Sequence, residues 1–218
     1  EPLLDRLNGR LHEPALWAYT AIVLFHWVEH LTQAYQIWVL KWPRPQSLGF
    51  IGLWQPWLVS TEIMHFAYAL FMLVGLIALR PGFLGRARFW WNLSLAIQGW
   101  HFVEHSILQL QAIVGHPFFG AKGFTSIGQL WFPRPELHLF YNAVVFLPMV
   151  VAMILHMYPP ADEHDKILAD LRQLVEKMLD ILAERLESKV DKERPDLIAQ
   201  FAETHGTMHT LTTAVLAD

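Results

Sequence analysis

Four stretches of this chain are apolar over lengths that match a lipid bilayer: approximately residues 15–40, 57–79, 89–114 and 137–158. A helix needs about 20 such residues to cross the hydrocarbon core. The signal is unbroken apolar length rather than an amphipathic period, which predicts four membrane-spanning helices. Arg80-Pro81-Gly82 ends the second stretch and Pro159-Pro160 the fourth. Trp17, Trp38, Trp42, Trp54, Trp57, Trp90, Trp91 and Trp131 fall near the ends, where an aromatic belt meets the membrane interface.

Past residue 160 the pattern changes. Leu168, Leu171, Val175, Met178 and Leu182 recur at steps of three and four, with Ile167, Leu174 and Ile181 widening the face. This predicts an amphipathic helix over 161–190. A second helix over 196–216, after the break at Pro195, is expected to pack on it, with self-association or docking to a membrane-complex partner as the alternatives. The expected architecture is all-α. An N-terminal interfacial segment (1–14) leads into an integral-membrane four-helix bundle (15–158), and a soluble helical tail follows (161–218).

Composition agrees with a membrane body. The chain is 54% hydrophobic and 17% charged, against about 25% charged in soluble domains. The part before residue 159 holds nine of the 16 basic and seven of the 20 acidic residues, so the acidic character lies in the tail. The net charge of -4 offers no basic surface for nucleic acid. Without cysteine, disulfides, iron–sulfur clusters and thiolate sites are excluded. The first residue is Glu1 rather than Met, which leaves room for a leader. Arg6, Arg10, Arg80, Arg86 and Arg88, together with the basic residues of the tail, outnumber Lys41, Arg44, Lys122 and Arg134 on the other side. Both termini are therefore expected on the cytoplasmic face of a multi-pass protein.

The polar residues inside the apolar region are few and patterned. Between residues 14 and 158 the only acids are Glu29, Glu62, Glu104 and Glu136, each one to three residues before a histidine. A carboxylate at the centre of a bilayer costs roughly 2.5–3.5 kcal/mol on the insertion scale, so four of them imply a shared purpose. The pattern is also doubled. His26-Trp27-Val28-Glu29-His30 returns as His101-Phe102-Val103-Glu104-His105 at a shift of 75, and Gln36 returns as Gln111. Ile51-Gly52-Leu53-Trp54 is echoed by Ile127-Gly128-Gln129-Leu130-Trp131, and Glu62 with His65 by Glu136 with His138. Two tandem units, about 15–79 and 89–158, of two helices and one long loop each, should be related by an axis along the membrane normal.

On a helix, His26, Glu29 and His30 share an arc of roughly 100°, as do His101, Glu104 and His105. His65 and His138 join from the second and fourth helices, His65 about two turns in and His138 shallower. The set predicts two metal ions held by His26, Glu29, His30 and His65, and by His101, Glu104, His105 and His138. Glu62, Glu136, Gln36 and Gln111 are expected as additional ligands or as acceptors that orient an imidazole. Imidazole with carboxylate suits iron first, with copper or zinc as alternatives. The function expected is an oxidoreductase acting with O₂ on an apolar substrate. The alternatives are a haem electron carrier with bis-histidine ligation, a zinc hydrolase reading H-x-x-E-H as its signature, a proton or metal transporter, a purely structural His–Glu network, and an accessory subunit of a larger complex. His156 is read as packing and His12 as solvated.

Overall fold

The apolar stretches fold as helices, as their composition dictates, and the computed structural model describes residues 2–190 and 203–207. In chain order these are α1 (Leu3–Asn8), α2 (His12–Trp38), α3 (Pro56–Ser60), α4 (Glu62–Leu79), α5 (Gly85–Val114), α6 (Arg134–Met157) and α7 (Ala161–Val190). No strand occurs among the described residues. The chain divides into two units, Glu1–Tyr158 and Pro159–Asp218.

One predicted helix is broken. The stretch 57–79 forms α3 and then α4, separated by Thr61 in an extended conformation (φ −90°, ψ 145°). Pro56 starts α3, where its missing N–H costs nothing. The Thr61 hydroxyl then donates to the Leu58 carbonyl at 2.7 Å and closes the turn. Such local side-chain bonds compete with helix continuation. The other long helix of this kind, α5, ends in a left-handed Gly115 (φ 69°) whose N–H bonds to the Gln111 carbonyl.

In the first unit α2 and α5 each pack against both α4 and α6, so four long helices form a bundle with two long loops (39–55 and 115–133) at one end. The end away from those loops holds the apolar core, built from Leu16, Tyr19 and Val23, Met72 and Leu76, Trp91, and Val145, Met149 and Met153. Three of its polar side chains bond to backbone carbonyls. Tyr19 Oη donates to the Met72 carbonyl at 2.8 Å, Trp91 Nε1 to the Leu76 carbonyl at 2.7 Å and Ser94 Oγ to the Val145 carbonyl at 2.8 Å. Trp91 is thus fully buried, stacked on Phe83 at 4.1 Å, and no part of an aromatic belt. His12 is likewise buried at 6% exposure, edge-on to Phe83 and His156, where a solvated residue was expected. Its position follows from Gly82, whose lack of a side chain makes room for the His12 ring.

The outer surface of the bundle is apolar on every long helix. Phe25, Leu31 and Tyr35 are exposed on α2, Phe71, Val74 and Ile77 on α4, Leu93, Val103 and Leu110 on α5, and Phe140, Leu147 and Ile154 on α6. Two helices, Glu62–Gly82 and Arg134–Met157, are long and apolar enough to cross a membrane. The helices α2 and α5 have the length, at 27 and 30 residues, but their inward-facing histidines, glutamates and glutamines lower their average apolarity.

In the second unit α7 begins at Ala161, as the periodicity predicts, and is helical through Val190, the last described residue of this stretch, with Leu171, Leu174, Met178 and Leu182 exposed. The predicted helix 196–216 lies outside the described residues except for 203–207, which are helical.

Trp91→Ala should destabilise the bundle by about 3–5 kcal/mol, as for other buried aromatics, visible as a lower thermal midpoint. Trp54→Ala, at a side chain 70% exposed, should change stability by no more than about 0.5 kcal/mol.

Candidate metal centre

Helical spacing brings the histidines of each repeat together in pairs. His26 and His30, one turn apart on α2, place their Nε2 atoms 3.1 Å from each other. His101 and His105 on α5 do the same at 3.0 Å. Two nitrogens bound to one ion at about 2.0–2.1 Å, at angles between octahedral and tetrahedral, lie about 2.9–3.4 Å apart. Both pairs therefore have the bite of a chelate.

The break at Thr61 sets the depth of the third histidine of the first copy. It restarts the helix at Glu62, so His65 sits in the first turn of α4 rather than two turns in, level with His138 near the start of α6. Each ring faces the carbonyl four residues before it: His65 Nδ1 lies 3.4 Å from the Thr61 oxygen and His138 Nδ1 lies 2.9 Å from the Arg134 oxygen. A carbonyl accepts only, so it fixes Nδ1 as the protonated nitrogen and leaves the lone pair on Nε2.

All six imidazoles converge. His138, expected as the outlier, is the hub, with ring centroids 5.0 Å from His105, 5.3 Å from His30, 5.7 Å from His65 and 5.8 Å from His101. Its Nε2 is buried without a hydrogen-bond partner. The buried triad His101, His105 and His138 can hold a metal ion, with one ligand atom from each lying within 4.8 Å of the others. The first copy is more open. His30 and His65 are 6.3 Å apart between centroids, and His65 reaches across to His105 at 6.0 Å.

The carboxylates and amides occupy different positions from those expected. Glu29 Oε2 accepts from the Ile51 backbone N–H at 2.8 Å, and both oxygens of Glu104 accept from the Gly128 N–H, at 3.0 and 3.1 Å. These are the equivalent short 3₁₀ turns of the two loops, Ile51–Leu53 and Gly128–Leu130. Gln36, expected beside an imidazole, exchanges two hydrogen bonds with the backbone of Gly49, at 2.9 and 3.1 Å. Gln111 does the same with Thr125, at 3.2 and 2.9 Å. Gly49 is left-handed (φ 76°) and passes so close that a side chain would overlap the Glu29 carboxylate. Of the four carboxyl oxygens on Glu29 and Glu104, Glu29 Oε1 alone lacks a partner.

Glu62 and Glu136 are paired with arginines instead of orienting histidines. Arg134 holds Glu62 through both terminal nitrogens at 2.5 and 2.6 Å, and Arg44 holds Glu136 at 2.8 and 2.5 Å. Each fork joins one repeat to the other, reciprocally. A cavity of about 380 Å³ runs between these arginines and the imidazoles of His30, His65 and His138.

Two tyrosines complete the surroundings. Tyr68 stacks on His26 and Tyr141 on His101, with centroids 4.5 and 4.7 Å apart, and Trp100 Nε1 donates to Tyr141 Oη at 2.8 Å. A signal for them stood in the chain: His65-x-x-Tyr68 and His138-x-x-Tyr141 are the same three-residue step in corresponding helices.

Gly49→Ala should release Glu29 from its loop, at roughly 1–3 kcal/mol for the strained backbone alone. Hydrogen exchange should then speed up in residues 39–55 and stay unchanged in 115–133.

Comparison of the chain with protein families, curated proteins and solved structures found no match. The functional reading of the centre therefore draws on its own geometry.

Proposed function

We propose that this is an integral-membrane metalloprotein whose bundle holds two metal ions, three imidazoles to each, and that it works as an oxidoreductase with O₂ on a lipid-soluble substrate. One observation carries the reading. Six histidines from two repeats, five of them buried and His65 half-buried, meet one another at the loop end of a bundle whose outward faces are apolar on all four long helices.

An inside-out distribution of this kind is what a bilayer selects. Lipid solvates the outer side chains, and the polar residues of α2 and α5 face the bundle interior. On this reading α2 and α5 cross the membrane with α4 and α6, and the protein is multi-pass, with α7 free to engage a partner or a second copy.

A hydrogen-bonded histidine network is the competing account of the cluster. It leaves the His138 lone pair facing other imidazoles with no donor, at the desolvation cost of an unsatisfied buried group. A cation satisfies it. Haem fits poorly, because a porphyrin needs a flat slot between two imidazoles and the space beside each pair is filled by the remaining rings. The zinc hydrolase reading needs a glutamate free to act as base; both oxygens of Glu104 are taken by a loop amide, which leaves that role to Oε1 of Glu29 alone. A transport pathway would have to pass Leu76, Trp91 and Met149, which are fully buried below the centre.

The donor set bears on the metal. Iron was favoured because carboxylates were counted as ligands. With Glu104, and one oxygen of Glu29, holding the loops, the donors are mainly imidazole, which suits copper as well as iron. Held by these histidines, such an ion would supply redox chemistry toward O₂, with an external reductant returning it to its reduced state. The chain supplies ligand geometry, the carbonyls that fix His65 and His138, and a pocket shielded by apolar helices.

Elemental analysis of purified protein should find two iron or copper ions per chain, with no Soret band. His138→Ala should lower the content to one ion or none, and His156→Ala should leave it at two. Metal-free protein that does not take up either ion on reconstitution, or a Soret band, would overturn the assignment.

A further inference from the structure

The cavity beside the centre is graded along its length. Its outer end carries Arg44 and Arg134, whose side chains are 46% and 35% exposed. Its walls are apolar, with Leu48, Val59 and Pro133. Its inner end is formed by the imidazoles of His30 and His138, which are buried, and of His65, which is half-buried. At about 380 Å³ it is in the range of small-molecule sites. A second cavity, on the side of the second copy, is lined by Phe132, Phe140 and Tyr141.

We propose that this cavity is the substrate site and that it takes a single-chain aliphatic carboxylate, with the head at the arginine end and the chain lying toward the imidazoles. The identity of the bound molecule as the centre's substrate rests on the metal reading above; the binding itself does not. A purely apolar substrate would dissolve in the surrounding lipid and has no use for a guanidinium rim. A carboxylate head matches that rim, since an arginine has five N–H donors and each of these spends two on its glutamate. The Arg44–Glu136 pair is at the surface, where such pairs exchange at little cost. The orientation follows from Glu29, which lines the same cavity with an unpartnered buried oxygen. A carboxylate pushed to the inner end would meet that acidic side chain, whereas an alkyl chain would not.

The test uses full-length protein in lipid nanodiscs, with octanoate and 1-octanol as probes in calorimetric titrations. Octanoate should bind once per chain and at least tenfold more tightly than octanol. Arg44→Gln should weaken octanoate several-fold without affecting octanol. Val59→Trp, which fills the cavity from one wall, should abolish octanoate binding with metal content unchanged. Protein stripped by a chelator should still bind octanoate, because the head sits on arginine and not on an ion. Equal affinity for the two probes, binding unaffected by Val59→Trp, or binding that vanishes on stripping would each overturn the proposal. Metal content is measured on the same samples, so a failure of the metal reading is seen separately: octanoate would bind to a protein that holds no ions.

Discussion

A polar atom buried in an apolar setting is costly without a partner, and at one end of the bundle helix side chains and loop backbone supply most of the partners, with Glu29 Oε1 and His138 Nε2 among the atoms left over. The long helices project histidine, glutamate and glutamine inward, while two long loops bring backbone N–H and carbonyl groups over the same region. The two sets satisfy each other. Glu29 and Glu104 hold the loops at Ile51 and Gly128, and Gln36 and Gln111 hold them at Gly49 and Thr125. A hydrogen bond to a charged group contributes about 1.5–3 kcal/mol, so these bonds, repeated in both copies, fix the loops relative to the helices that carry the imidazoles. The crossed arginine–glutamate forks then tie one copy to the other. Placement of the histidines therefore depends on the loops, although no loop residue contributes an imidazole to the cluster.

The arrangement occurs twice, and the two copies differ. The second is closed. Its three nitrogens lie within one small sphere and both oxygens of its glutamate are used. In the first, the rings are farther apart, α2 lies less closely against its neighbours, one oxygen of Glu29 is left over and the cavity opens beside His30 and His65. Metal sites that serve structure are closed, and those that serve chemistry keep a position open.

The repeated motif, the convergence of the six histidines and the start of α7 were legible in the chain, since each is a matter of identity and spacing within one segment. The partners of the acids were not. Glu29 and Ile51 are 22 residues apart, Arg134 and Glu62 are 72, and no helical period links such positions. Adjacency misled in a specific way. On a helix the residue beside a histidine is turned about 100° from it, so Glu29 and Glu104 address the loop while His30 and His105 address the bundle axis. The break at Thr61 was hidden by apolar residues on both sides, and it alone places His65 level with His138. Tyr68 and Tyr141 were legible in principle, as a repeated step from histidine, but tyrosine in an apolar helix carries no signal by itself.

The cost that made four glutamates conspicuous takes a different form in the folded chain. None is a free carboxylate at the middle of the apolar slab. Glu62 and Glu136 stand at helix starts with arginine partners, and Glu29 and Glu104 lie beneath loops that donate N–H groups to them. Trp38, Trp42, Trp54, Trp57 and Trp131 are exposed around the same end of the bundle, where tryptophan anchors a helix end at a membrane–water boundary. In the membrane reading the imidazoles therefore sit just inside the interface. At that depth water-soluble heads and lipid-soluble chains are both within reach, and the penalty for polar groups falls toward its interfacial value. A two-helix repeat whose long loops all emerge on one side concentrates its polar residues there of necessity, so the topology of the duplication itself decides the depth at which the centre lies.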